Sequence, residues 1–132
     1  MSVPAVKTFA FLLSVALAGF PAVAFSQDCE EEAANMAQVR DCAFRQLEAS
    51  LQAEYRRTHA LARSHDPEAA ALLAKAQRDW RTFAESSCDY VVAARGVDQM
   101  ANDARLDCRA ELAGARIETL EQYRQGLGSV DP

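Results

Sequence analysis

Four cysteines, Cys29, Cys42, Cys88 and Cys108, restrict what this chain can fold into more than any other feature. They follow a segment that reads as an export address. Lys7 gives a positive start, residues 9–20 are apolar and uncharged, and Pro21-Ala22-Val23-Ala24 ends in the A-x-A pattern that signal peptidases cut. The apolar run of about 12 residues falls short of the ~20 needed to span a bilayer. Residues 1–24 are therefore expected to be a cleaved signal peptide, with residues 25–132 as one domain and no stable membrane anchor. An even number of cysteines behind such a leader implies two disulfides in an oxidising compartment, periplasmic or secreted.

The rest of the chain is rich in Ala, Leu, Glu, Gln and Arg and lacks clusters of β-branched and aromatic residues, so it reads as all-α. A short acidic helix or turn is expected over residues 28–34. Asn35, with Gln38 three positions on, has the capping-box pattern that starts a helix. That helix carries Val39, Ala43, Leu47, Leu51, Tyr55 and Ala62 on one stripe and ends near Ser64-His65. Asp66-Pro67-Glu68 begins the next: Asp caps, Pro takes the first turn, and Glu suits the positive end of the dipole. Its stripe is Leu73, Ala76, Trp80, Phe83 or Ala84, Cys88 and Val91, and it stops at Arg95-Gly96. A last helix from near Gln99 shows Met100, Ala104, Cys108, Leu112, Leu120 and Tyr123, with Gly126 as its stop.

Three pairings of the cysteines are possible, and helix geometry narrows them. On one straight helix Cys29 and Cys42 would lie ~20 Å apart, whereas a disulfide needs Cα atoms within about 7 Å. A bend at Asn35, midway between them, would bring them together. Cys88 and Cys108 flank the Gly96 break nearly symmetrically, as rungs of an antiparallel hairpin would. The expectation is a small antiparallel helical bundle or hairpin of three to four helices, stapled by Cys29–Cys42 and Cys88–Cys108.

Little in the sequence resembles an active site. The formal net charge of −5 argues against nucleic acid, whose phosphates need a basic face. His59 and His65 stand six apart with no third ligand, so no metal site is expected, and without C-x-x-C-H no haem, so no cofactor. Glu85, Ser86, Ser87 and Asp89 cluster in sequence, but adjacent helical residues point apart, and an enzyme is not expected. Trp80 reads as a core residue. Arg78 reads as a partner of Glu85 or of an acid on a neighbouring helix. Arg116, on the stripe of the last helix, needs an acceptor, with Glu54 and Glu85 as candidates.

The stretch Ala76-Gln77-Arg78-Asp79-Trp80-Arg81-Thr82-Phe83, followed by Cys88, resembles the AQRxW-x-x-[YF]…C signature of the lysozyme-inhibitor family typified by the lipoprotein LprI. Leu51-Gln52-Ala53-Glu54-Tyr55 is similar to that family's LNxxY motif. Cys108, Leu112, Arg116 and Leu120 resemble its C-x-x-x-L-x-x-x-R-x-x-x-L ending, and the Cys29/Cys42 pair fits. The sequence departs from the pattern at Gln52, Ala84, Glu85 and Ala113. The resemblance implies an exported protein that binds a partner protein, a basic lysozyme being the leading candidate, and blocks it by contact. The alternative is an envelope binding or assembly module without inhibitory effect. Acidic Asp98, Asp103 and Asp107 around the connection after Gly96 would meet a basic partner, and Arg95 would face the carboxylates of a lysozyme cleft. The sequence leaves the oligomeric state open.

Overall fold

The computed structural model of the protein describes residues 29–31, 33–95 and 100–129. The expected leader, Gly96, Asp98 and Gln99 lie outside the described residues. Asn35 opens the first long helix as its context predicts. Its Oδ1 accepts from the Gln38 N–H at 3.1 Å, satisfying a donor that the first turn would otherwise leave orphaned. The reciprocal bond of the capping box is shifted by one residue, with Gln38 Oε1 accepting from the Ala34 N–H at 2.8 Å. Residues 29–31 form a helical turn ahead of this bend.

Three long helices follow: α1 over Met36–His65, α2 over Pro67–Arg95 and α3 over Ala101–Gly128. They contain 30, 29 and 28 residues, so each is about 40–45 Å long and can pair along its whole length. Asp66 is the single residue between α1 and α2. Its N–H donates to the Ala62 carbonyl at 2.8 Å, closing α1. Its Oδ1 accepts from the Glu68 N–H at 2.9 Å, capping α2. Pro67 then costs nothing at the first position of α2, where an N–H would have had no partner.

Side-chain pairs give the topology. Arg40–Asp103, Glu48–Arg109 and Glu54–Arg124 rise together along α1 and α3, so these helices run parallel. Asp89–Arg105, Cys88–Cys108 and Gln77–Arg116 run in opposite order along α2 and α3, so that pair is antiparallel. The result is an up-down-up bundle in which α1 and α3 pack most extensively.

Both expected disulfides are present. Cα atoms are 5.7 Å apart in Cys29–Cys42 and 5.6 Å apart in Cys88–Cys108. Both lie in the half of the bundle that holds the start of α1, the end of α2 and the start of α3. The core is thin. Leu51, Ala113 and Leu120 form its centre, with Leu47, Tyr55, Leu73, Trp80 and Ile117 partly buried against it. The largest fully buried side chains are Leu120, Thr58, Cys29 and Cys88. Half of that set is disulfide sulfur, so the staples are core material as well as cross-links.

Several expected stripe positions are corrected. At the open choice on α2, Ala84 is buried and Phe83 exposed. The buried residues of α2 are Ala70, Gln77, Ala84 and Cys88, a seam stepping by sevens and a four, and it leaves Ala76 outside. Ala43 is also exposed. On α3, Met100 and Tyr123 face outward, because the buried line runs through Ala104, Ala113, Arg116 and Leu120. Gly126 does not stop α3, which continues to Gly128.

Candidate functional site

Two polar clusters sit inside this small core. Gln77 on α2 and Arg116 on α3 are only 3% and 9% exposed. Arg116 Nε donates to Gln77 Oε1 at 2.9 Å, and the guanidinium lies 5.9 Å from the centroid of the Trp80 ring. Burial lowers the Arg116 pKa from the usual guanidinium value, partly offset by Tyr123. Arg116 Nη2 and Gln77 Nε2 are buried without a protein acceptor. The expected acceptors Glu54 and Glu85 are therefore corrected to Gln77: the carboxylate of Glu54 is engaged elsewhere, and α2 presents Gln77 one turn before Trp80.

Glu54 belongs to the second cluster. It accepts from Arg124 Nε at 2.7 Å, lies 3.5 Å from Arg57 Nε, and receives the Thr58 hydroxyl at 3.4 Å. That hydroxyl also reaches the Leu120 carbonyl at 3.2 Å. The Glu54 carboxylate raises the Arg124 pKa through its hydrogen bond and its charge. Leu51, Gln77 and Arg116, named from three separate motifs, thus build the centre of the bundle. Tyr55 is half-buried with its ring 5.6 Å from that of His59, and Leu112 is half-buried beside Ala113. Arg78 is exposed and forms no ion pair with a described residue, so its expected pairing with Glu85 is not made; only its carbonyl is used, accepting from Thr82 at 3.3 Å.

Of the residues expected to meet a partner, Arg95 is exposed at the end of α2. Asp103, in the first turn of α3, forms an ion pair with Arg40 of α1. It therefore ties α1 to α3 next to the connection. Asp98 lies outside the described residues. Sequence reasoning named Asp107 with Asp98 and Asp103 but did not single out Glu111 and Glu118, which share the solvent face of α3 with Asp107. All three are exposed and none forms an ion pair with a described residue, whereas Asp41, Asp79 and Asp89 pair with Arg45, Lys75 and Arg105. Their i, i+4, i+11 spacing was readable, but the chain gave no sign that neighbouring arginines were already committed.

Two concavities lie beside the motif residues. A crevice of about 220 Å³ is lined by Glu48, Leu51, Trp80, Arg81, Ala84, Glu85 and Arg109. Arg81 is held there by a bond to Gln52 Oε1 at 2.6 Å. Ala84, where the resemblance places Arg, leaves this space open. The second, an open groove of about 590 Å³, lies at the unstapled end, with Leu72, Leu73, Ala76, Tyr123 and Leu127 on its walls. Among the described residues no group of three His, Cys, Asp or Glu could hold a metal ion, and no helix is long and apolar enough to cross a membrane.

A family model described as "Lysozyme inhibitor LprI" matches residues 26–120. That span takes in both disulfides, the buried Gln77–Arg116 pair and the acidic face of α3. No curated protein and no solved structure matches the chain.

Proposed function

The chain belongs to the LprI family of lysozyme inhibitors, and from that premise we propose that it is an exported protein that binds a basic lysozyme and blocks it by protein–protein contact. The family match carries the reading, since LprI is an inhibitor family and not an enzyme family. Two features of the fold support it. Asp107, Glu111 and Glu118 give α3 an uncompensated negative face along about 16 Å, which would steer a cationic protein toward it and raise its on-rate. Both disulfides also lie at the end that carries the connection between α2 and α3. The facing ends of α2 and α3 are thus cross-linked, and a rigid support loses little freedom on binding, which favours an inhibitor.

In this reading Arg95 enters the substrate cleft, where its guanidinium meets the cleft carboxylates. Asp98 contacts the basic rim, and Asp103, through Arg40, holds the end of the bundle in place. The test is lysis of a cell-wall suspension by lysozyme in the presence of the oxidised protein. Slowed lysis at micromolar excess is expected, with the effect reduced at least tenfold by Arg95→Glu. Undiminished lysis at that excess would remove the proposal. The alternative, a non-inhibitory envelope module, draws on the apolar groove beside Leu72 and Tyr123. A pull-down from envelope extract with tagged protein separates the two, because inhibition requires a muramidase among the captured proteins.

A further inference from the structure

Half of the AQRxW stretch has no role in the core. Phe83 is 56% exposed, and Leu72 and Tyr90 on the same helix are 62% and 73% exposed. Eleven and eighteen positions separate Phe83 and Tyr90 from Leu72. At 3.6 residues per turn all three return to within about 20° of one direction. Exposed Ala76 lies on the same side. At the unstapled end this line runs into the apolar groove, where Leu72 and Ala76 face Tyr123 of α3, itself 50% exposed.

From this we infer that the outer face of α2 is a self-association surface, whose occupant is α2 of a second copy of this chain lying antiparallel across a twofold axis near Arg81. Area is the first argument. At roughly 150–250 Å² per aromatic side chain, Phe83, Tyr90 and Tyr123 leave about 300–400 Å² of ring surface in water before Leu72 and Ala76 are added. An ordinary interface covers about 800 Å² per partner, of which about 450 Å² is apolar, so the patch is close to what one side of a dimer requires. Isolated apolar residues on a surface need no explanation, but three large ones aligned on one helix face and leading into an apolar groove do.

Charge is the second argument. The flanking ions on this face, Lys75 and Asp79, already pair with each other at 2.6 Å. A chain of net charge −5 can therefore meet its own copy here without bringing free carboxylates together. A basic partner has no reason to prefer this face over α3.

Self-complementarity is the third. A twofold near Arg81 sets Leu72 against Tyr90 of the second copy, Ala76 against Ser86, and Phe83 beside its own counterpart. A parallel pairing would instead stack Glu68 on Glu68. The arrangement is isologous and closes on itself, and it leaves the acidic face of α3 free.

The test is sedimentation of the oxidised, exported protein over about 1–100 μM, with Leu72→Glu, Tyr90→Glu and Glu118→Lys variants checked for helicity by circular dichroism. A concentration-dependent dimer is expected. The two variants on α2 should weaken it at least tenfold and Glu118→Lys should leave it unchanged. A photo-crosslinking residue at position 72 should capture the peptide containing Tyr90. A monomer at 100 μM, a dimer unaffected by Tyr90→Glu, or capture of the Leu72 peptide instead would overturn the inference. So would a Tyr90→Glu variant that loses lysozyme binding while its sedimentation is unchanged, because the face would then belong to that partner. Lysozyme inhibition can fail without altering any of these outcomes.

Discussion

Replacing Gln77 by leucine removes the one acceptor that the described residues give a buried guanidinium. Arg116 would keep its position over Trp80, 5.9 Å from the ring centroid, but Nε would join Nη2 as a buried donor without an acceptor. Breaking a hydrogen bond to a buried charge costs about 1.5–3 kcal/mol, and stranding the charge adds to that. Retained attraction to the indole, about 1–2 kcal/mol when desolvated, sets a limit on the loss. The expected cost of Gln77→Leu is about 2–4 kcal/mol, a fall in Tm of roughly 10–25 °C for a domain of this size. Arg116→Met alone strands only the neutral amide of Gln77 and should cost about 1–3 kcal/mol. The double variant removes every unsatisfied atom and fills the space with apolar groups. It should return to within about 1 kcal/mol of the parent. Urea unfolding followed by circular dichroism with disulfides intact completes the cycle, and a coupling of about 2–7 kcal/mol is expected. If the two single costs simply add to within about 0.5 kcal/mol, the pair is not the energetic unit argued here.

Truncating the fully buried Leu120 to alanine should cost about 2–5 kcal/mol in the same assay, while Tyr90→Glu should stay within about 0.5 kcal/mol at concentrations where the protein is monomeric, because its ring is mostly in water in the single chain. Converting Cys88 and Cys108 to serine opens a loop of 20 residues and should lower stability by about 3 kcal/mol; hydrogen exchange should then speed up along the facing ends of α2 and α3. Loss of Cys29–Cys42 opens a loop of similar entropy, but exchange should rise mainly before Met36, since this disulfide is the covalent tie between residues 29–31 and α1. Inhibition of lysozyme should weaken with added salt, and a triple Asp107→Asn, Glu111→Gln, Glu118→Gln variant should show a shallower salt slope in a binding titration if α3 steers the partner.

The helical class, the helix ends near residues 35, 66 and 95, and both disulfides were legible because each follows from local rules. Capping residues and proline act within a turn, and Cys88 and Cys108 need only one antiparallel crossover. Helix phase was harder. On α2 the apolar pattern pulled toward Phe83, yet Ala84 is the residue inside. α2 meets its neighbours along Ala70, Gln77, Ala84 and Cys88, and that phase turns Phe83 outward, so hydrophobicity pointed to the wrong side of a well-formed helix. The same happened with Met100 and Tyr123 on α3. In a three-helix bundle the buried line is set by two neighbours, and a single helix cannot report where they stand.

The site was legible in its residues but not in its partners. That Arg116 requires an acceptor follows from its place on an apolar stripe. Which acceptor it finds depends on whether α1 or α2 crosses at that level. Here α1 and α3 run parallel and consume one another's charges along their whole seam, from Arg40–Asp103 through Glu48–Arg109 to Glu54–Arg124. Glu54 is spent on Arg124, so the guanidinium turns to the antiparallel α2 and to the amide of Gln77. The same commitment determines which carboxylates are free. Asp103 is absorbed by Arg40, while Asp107, Glu111 and Glu118 form no ion pair with a described residue and stay uncompensated. The surface charge available to a partner is thus the residue of the bundle's internal pairing. Moving a single seam arginine should therefore alter the recognition face without touching it: Arg40→Ala should free the Asp103 carboxylate and increase the salt dependence of lysozyme binding. An unchanged salt slope would show that Asp103 contributes no field to the encounter.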